Sequence, residues 1–141
     1  MSANERNMCS AEPPASKGMR VLLVEPKKRP VETEIDDSLD TMQRIVGGLI
    51  QAVYPFEEPV ALICNDEGKC LGLPLNRALY RPGGGQLYDV VAGTFFLCGA
   101  PPDSENFTSL TEEQIRRYQQ LFAEPEQFVQ INGRLLVIKT E

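Results

Sequence analysis

MRVLLVEPKKRPVETEIDDSLDTMQRIVGGLIQAV, residues 19–53, decides the fold, because it carries in one stretch both periodicities that a mixed domain needs. Val21, Leu22, Leu23 and Val24 form an unbroken apolar run, the pattern of a strand covered on both faces. Pro26 and Pro30 bracket a turn. Val31, Thr33 and Ile35 then alternate with Glu32 and Glu34, as in a strand with one wet face. From Leu39 the spacing changes. Leu39, Met42, Ile45, Val46, Leu49, Ile50 and Val53 recur at helical intervals, with Asp37 or Ser38 placed to cap the helix and Asp40 placed to complement its dipole. Gly47 and Gly48 fall inside this predicted helix, where each costs about 1 kcal/mol relative to Ala. Close packing against a sheet is the physical reason for keeping them.

Working outward, residues 60–64 read as a second buried strand after Pro55 and Pro59. Asn65-Asp66-Glu67-Gly68 should reverse the chain into a strand carrying Leu71, Leu73 and Leu75, with Pro74 at an edge or an end. Pro82-Gly83-Gly84-Gly85 reads as a loop, and residues 90–98 as one long strand with a bulge at Gly93. Thr111 and Gln114 form a capping box, flanked by Leu110 and Ile115 as a hydrophobic staple. Ile115, Tyr118, Leu121 and Phe122 give this second helix its apolar face. Asn132-Gly133 between two apolar runs is the strongest short hairpin signal. Residues 1–18 lack periodicity and read as a disordered tail. Residues 19–141 are thus expected to form a single α+β domain, with a mostly antiparallel sheet packed by two helices and a C-terminal β-hairpin.

Composition narrows the chemistry. The chain has 141 residues, 42% hydrophobic and 24% charged, which suits one domain. No apolar run approaches the roughly 18 residues of a membrane span, and the first 18 residues hold no signal-peptide core, so a cytoplasmic protein is expected. Histidine is absent. Its absence removes Ser-His and Cys-His nucleophile pairs, His metal ligands and an unperturbed base titrating near neutrality. Cys9, Cys64, Cys70 and Cys98 show no C-x-x-C spacing and read as reduced thiols rather than a metal site, with a Cys64–Cys70 bridge open only if the two stand opposite each other. The net charge of −6 argues against nucleic acid as a partner.

Each candidate site has a plain structural alternative. The glycine loop lacks the strand-to-helix context and the Lys-Ser/Thr of a P-loop. If the turn at residues 65–68 approaches it, Lys69, Asn76, Arg77, Arg81, Gly83 and Gly84 would surround an anionic or polar ligand; the alternative is an exposed loop with solvated arginines. Glu57 with Glu58, and Asp66 with Glu67, read as solvated acids, because adjacent loop positions do not fix the geometry of acid-base catalysis. Asp66, Glu67 and Asp89 are the set on which a carboxylate-dependent, metal-assisted hydrolase would have to rely. Phe95, Phe96, Phe107 and Phe122 read as core rather than base-stacking platforms, since no basic residues interleave with them.

Four segments taken in order carry a resemblance: Val46-Gly47-Gly48-x-Ile50-x-Ala52-Val53, Asn65-x-Glu67-Gly68-Lys69, Leu73-Pro74-x-Asn76-Arg77-Ala78 and Asp89-Val90-Val91-x-Gly93-Thr94-Phe95-Phe96. Over roughly residues 19–99 the chain resembles an uncharacterised domain-of-unknown-function family of small accessory proteins from phages, plasmids and conjugative elements. The resemblance implies a role in the contest between mobile element and host, and it carries over no catalytic residues. The tail, the triple-glycine insertion and the terminal hairpin are additions to the core that the resemblance implies.

The expectation is therefore a non-enzymatic binding protein of a mobile element, possessing no cofactor and no metal. Its partner would be a host or element-encoded protein, or a small anionic or polar ligand; neither nucleic acid nor membrane is expected.

Overall fold

The computed structural model describes residues 18–81 and 86–139. Strands β1 (Gly18–Val24) and β2 (Val31–Asp36) lead into helix α1 (Leu39–Val46), followed by β3 (Ile50–Val53) and β4 (Val60–Asn65). Then come β5 (Leu75–Tyr80), β6 (Leu87–Ala92), β7 (Phe95–Gly99), helix α2 (Glu112–Leu121), β8 (Glu126–Ile131) and β9 (Arg134–Lys139). Five strands form one sheet in the order β2-β1-β7-β4-β3, and β5-β6 and β8-β9 form separate two-stranded sheets. Every pairing is antiparallel. The architecture is α+β, with two helices and a C-terminal hairpin.

The central strands β1, β7 and β4 separate two cores. Leu22↔Leu97↔Leu62 lie in register on one face, where Val24, Val60, Phe95 and Leu97 pack with Ile115, Tyr118 and Phe122 from α2 and with Leu79 and Val91 from the β5-β6 hairpin. On the other face Val21, Ile63, Phe96 and Cys98 pack with Met42 and Val46 of α1. Both faces of these strands are covered, which is why they read as apolar runs rather than alternations.

Local signals place the ends. Ser38 caps α1 by accepting from the Thr41 N–H at 3.1 Å. Thr111 and Gln114 exchange both hydrogen bonds of the capping box on α2, and Leu110 and Ile115 are buried in the same core. Asn132 and Gly133 both take positive φ, 52° and 77°, as a two-residue hairpin turn requires.

Four expectations need correction. The apolar spacing of residues 39–53 is not one helix: Gly47, at φ 83°, ends α1 in a left-handed cap, and residues 50–53 form edge strand β3. Residues 66–72 are successive turns, with the Leu71 N–H bonded to the Glu67 carbonyl, so β5 starts only at Leu75. Gly93, at φ 86°, is a corner rather than a bulge, and it hands the chain from β6 in one sheet to β7 in another. Finally, Gly18, assigned to the tail from the sequence, pairs with Asp36 in β1; residues 1–17 lie outside the described residues.

Candidate functional site

Lys69, Asn76, Arg77 and Arg81 do not converge. Asn76 and Arg77 are both fully buried, because β5 lays its residues 76–79 against the body of the molecule. The Asn76 side chain donates to the carbonyls of Val24 and Gly93, both at 2.9 Å. All five N–H groups of Arg77 are taken internally. Nε and Nη2 donate to the Phe122 carbonyl, Nη2 also to that of Lys28 at 2.6 Å, and Nη1 to the main-chain and side-chain oxygens of Asn76. Arg77 thereby closes the C-terminal end of α2 and the β1–β2 turn onto β5. Burial lowers its pKa, and the charge of Glu126 works the other way.

Lys69 is exposed and paired with Asp89 at 2.5 Å, and Arg81 is exposed with its guanidinium 5.3 Å from the centre of the Tyr88 ring. Gly83 and Gly84 lie outside the described residues. The donors of Asn76 and Arg77 are thus occupied by internal oxygens and Lys69 is paired with Asp89, so these three do not form the expected anion pocket.

Asp66, Glu67 and Asp89 do line one small cleft, of about 260 Å³, together with Lys69 and Cys64. Asp89 is already committed to Lys69 and to its neighbour's N–H at Val90. Among the described residues no three His, Cys, Asp or Glu side chains are placed to hold a metal ion. Burial, with Asp89 and Asp66 adding to it, pushes the Cys64 thiol up to about 11, and burial pushes Cys98 up to about 12, so both stay protonated at neutral pH. Cys64 is buried on β4 while Cys70 is exposed in the turns, and both are free thiols.

A larger cleft lies elsewhere, between α2, the segment after β3, and the β5-β6 hairpin. It has a volume of about 710 Å³, within the range of small-molecule sites. Phe56, Leu79, Leu121 and Phe122 supply apolar wall, and Glu58, Tyr80, Arg117, Tyr118 and Glu126 supply polar groups. Phe56 packs on Tyr118 with ring centres 4.6 Å apart, and Phe122 stands edge-on to Phe95 at 5.6 Å.

Two acids organise the polar side of this cleft. Glu58 accepts from the Tyr118 hydroxyl at 2.7 Å, from Gln114 at 2.9 Å and from Arg117, which also pairs with Glu113. Burial pushes the Glu58 carboxyl up, but these three donors outweigh it and hold it below its ordinary value. Burial, with the Glu58 hydrogen bond and charge adding to it, raises the Tyr118 phenol well above its usual range. Glu58 is thus not the solvated acid expected; it ties the segment before β4 to α2. The second acid, Glu126, is only 6% exposed, and its Oε1 accepts the Ala78 N–H at 2.9 Å.

Of the described residues expected from the sequence to bind a ligand, Arg81 alone lines this cleft; Glu57 and Glu58 also line it and read from the sequence only as solvated acids. One signal was available for Glu126: it shares the alternation of Phe128 in β8, so it falls on the face turned toward the body, where a carboxylate is out of pattern. Glu58, Arg117 and Tyr118 are about 60 residues apart in the chain and carry no local signal.

Residues 19–123 match the family model described as a domain of unknown function, DUF3846. The match runs through α2 and stops before the terminal hairpin. No curated protein and no solved structure matches the chain.

Proposed function

We propose that this chain, which belongs to the DUF3846 family, is a non-enzymatic binding protein that holds a small organic ligand in the cleft between α2 and the β5-β6 hairpin. One observation carries the reading: about 710 Å³ of concave surface is walled by aromatic and aliphatic side chains and fitted with a few converging polar groups. The polar groups are arranged for recognition rather than turnover. Glu58 is saturated by three donors, and Tyr118 keeps its proton, so neither is free to act as a base near neutral pH. The resemblance of roughly residues 19–99 to accessory proteins of phages and plasmids supports the setting: a mobile element that sequesters a host-derived molecule.

Leu121 tests the cleft without threatening the fold, since it lines the wall yet is 51% exposed. A neutral naphthalene-based fluorescent probe should bind saturably at one site per chain, and Leu121→Asn should weaken it by about tenfold through lost apolar contact. Saturable binding that Leu121→Asn leaves unchanged would move the site elsewhere; no saturable binding would end the reading. Mass spectrometry of the protein purified from its host then identifies any molecule released on denaturation.

A further inference from the structure

We infer that the cleft selects a ligand whose apolar body carries a protonated amine or a similar donor cation, held by the Glu126 carboxylate; this rests on the cleft being a ligand site. Glu126 lines the cleft, is more than nine-tenths buried, and receives one hydrogen bond from residues 18–81 and 86–138, that of the Ala78 N–H. A carboxylate has about four acceptor positions, so most of this one is unfilled. No Lys or Arg of residues 18–81 or 86–138 forms an ion pair with it. The charge of Arg77 reaches it only through space, because the five Arg77 N–H groups are spent on the Phe122, Lys28 and Asn76 oxygens. A buried carboxylate with one donor is costly, and a donor cation arriving from the cleft would remove that cost.

The two arginines that line the cleft are engaged differently. Arg117 is neutralised by Glu58 and Glu113, and Arg81 is turned over the Tyr88 ring. Tyr80 lines the same cleft, and its phenol is held above its ordinary value by burial first and then by the Glu126 charge, so it meets a ligand as a neutral hydroxyl. An anionic ligand would face the buried Glu126 charge, with the exposed Arg81 as the cation left to meet it. A cationic one gains a charge-assisted hydrogen bond at one end and the walls of Phe56, Leu79 and Leu121 along its body.

The test is a matched trio on one aromatic body: 2-naphthylmethylamine, 2-naphthylmethanol and 2-naphthoate, titrated by calorimetry at neutral pH and low salt. The amine should bind about tenfold more tightly than the alcohol, and the carboxylate most weakly. Glu126→Gln keeps an oxygen for the Ala78 N–H; it should erase the preference for the amine while leaving the alcohol's affinity unchanged. Should that variant melt early, the ratio on the unaltered protein decides alone, parity overturning the inference. Parity with both compounds weakened by Leu121→Asn would leave the cleft standing as a ligand site; no binding by any of the three would remove both. Lys139 stands opposite Glu126 in the β8–β9 register. A preference for the amine that emerges only in Lys139→Gln would overturn the inference.

Discussion

Arg77 shows what a buried charge does when it has no site to serve. Its guanidinium bonds the last carbonyl of α2, the carbonyl of Lys28 and both oxygens of Asn76, so one side chain joins three elements far apart in sequence. Removing it leaves those carbonyls buried without donors. Arg77→Ala should therefore destabilise the protein by about 3 kcal/mol or more, read as a lower urea midpoint, and Arg77→Lys should recover little of it because an ammonium cannot reproduce the fork. Arg81→Ala, at an exposed site, should stay within about 0.5 kcal/mol. An equal loss from both would contradict the buried clasp. The two arginines look alike in the sequence, four residues apart and beside the same glycines. Arg77 lies inside β5, whose residues 76–79 are all buried, and Arg81 lies past its end, a boundary that the sequence leaves open.

Elements are decided at their ends. Val46 is the last residue of α1, and its carbonyl is satisfied by the Asn65 side chain at 3.1 Å, while Asn65 Oδ1 accepts the Glu67 N–H at 2.7 Å. A Cβ on Gly48 would stand 2.9 Å from Asn65 Nδ2, so the second glycine makes room for this staple while the first supplies the left-handed cap. The glycine pair does mark a close approach, as its cost in a helix suggested, yet the period-3.6 pattern ran on through it because a half-buried edge strand happened to continue the spacing. At the other end, hydrogen bonds from the hydroxyls of Ser38 and Thr41, and from the Ser38 N–H, hold the exposed Asp36 carboxyl down at about 2. Its folded value lies below its ordinary 3.8, so its contribution to stability is complete above about pH 4 and is lost as pH falls toward about 2. Thermal melts should show Asp36→Asn less stable than the parent at neutral pH, with the two curves converging in that acid window; a constant offset down to the lowest pH would exclude this cause.

At the scale of the molecule, stability rests on a sheet buried on both sides. Leu97 sits at its centre, in register between Leu22 and Leu62, so Leu97→Ala should cost about 2–5 kcal/mol. Leu71→Ala, at an exposed turn residue, should change the denaturation midpoint little. Parity of the two would mean that the central strand is not core. By itself the sequence determined the α+β class, the capping box of α2, the Asn132-Gly133 hairpin and the apolar central strands, because each is written in neighbours a few residues apart, where propensity, capping and periodicity act. Only the tertiary structure decided that Arg77 is interior, that residues 87–92 and 95–99 belong to different sheets, and that Glu58, Tyr118 and Glu126 meet around one cleft. Those facts depend on chain segments dozens of residues apart being packed against one another, and short-range physical chemistry leaves no trace of such packing in a linear chain.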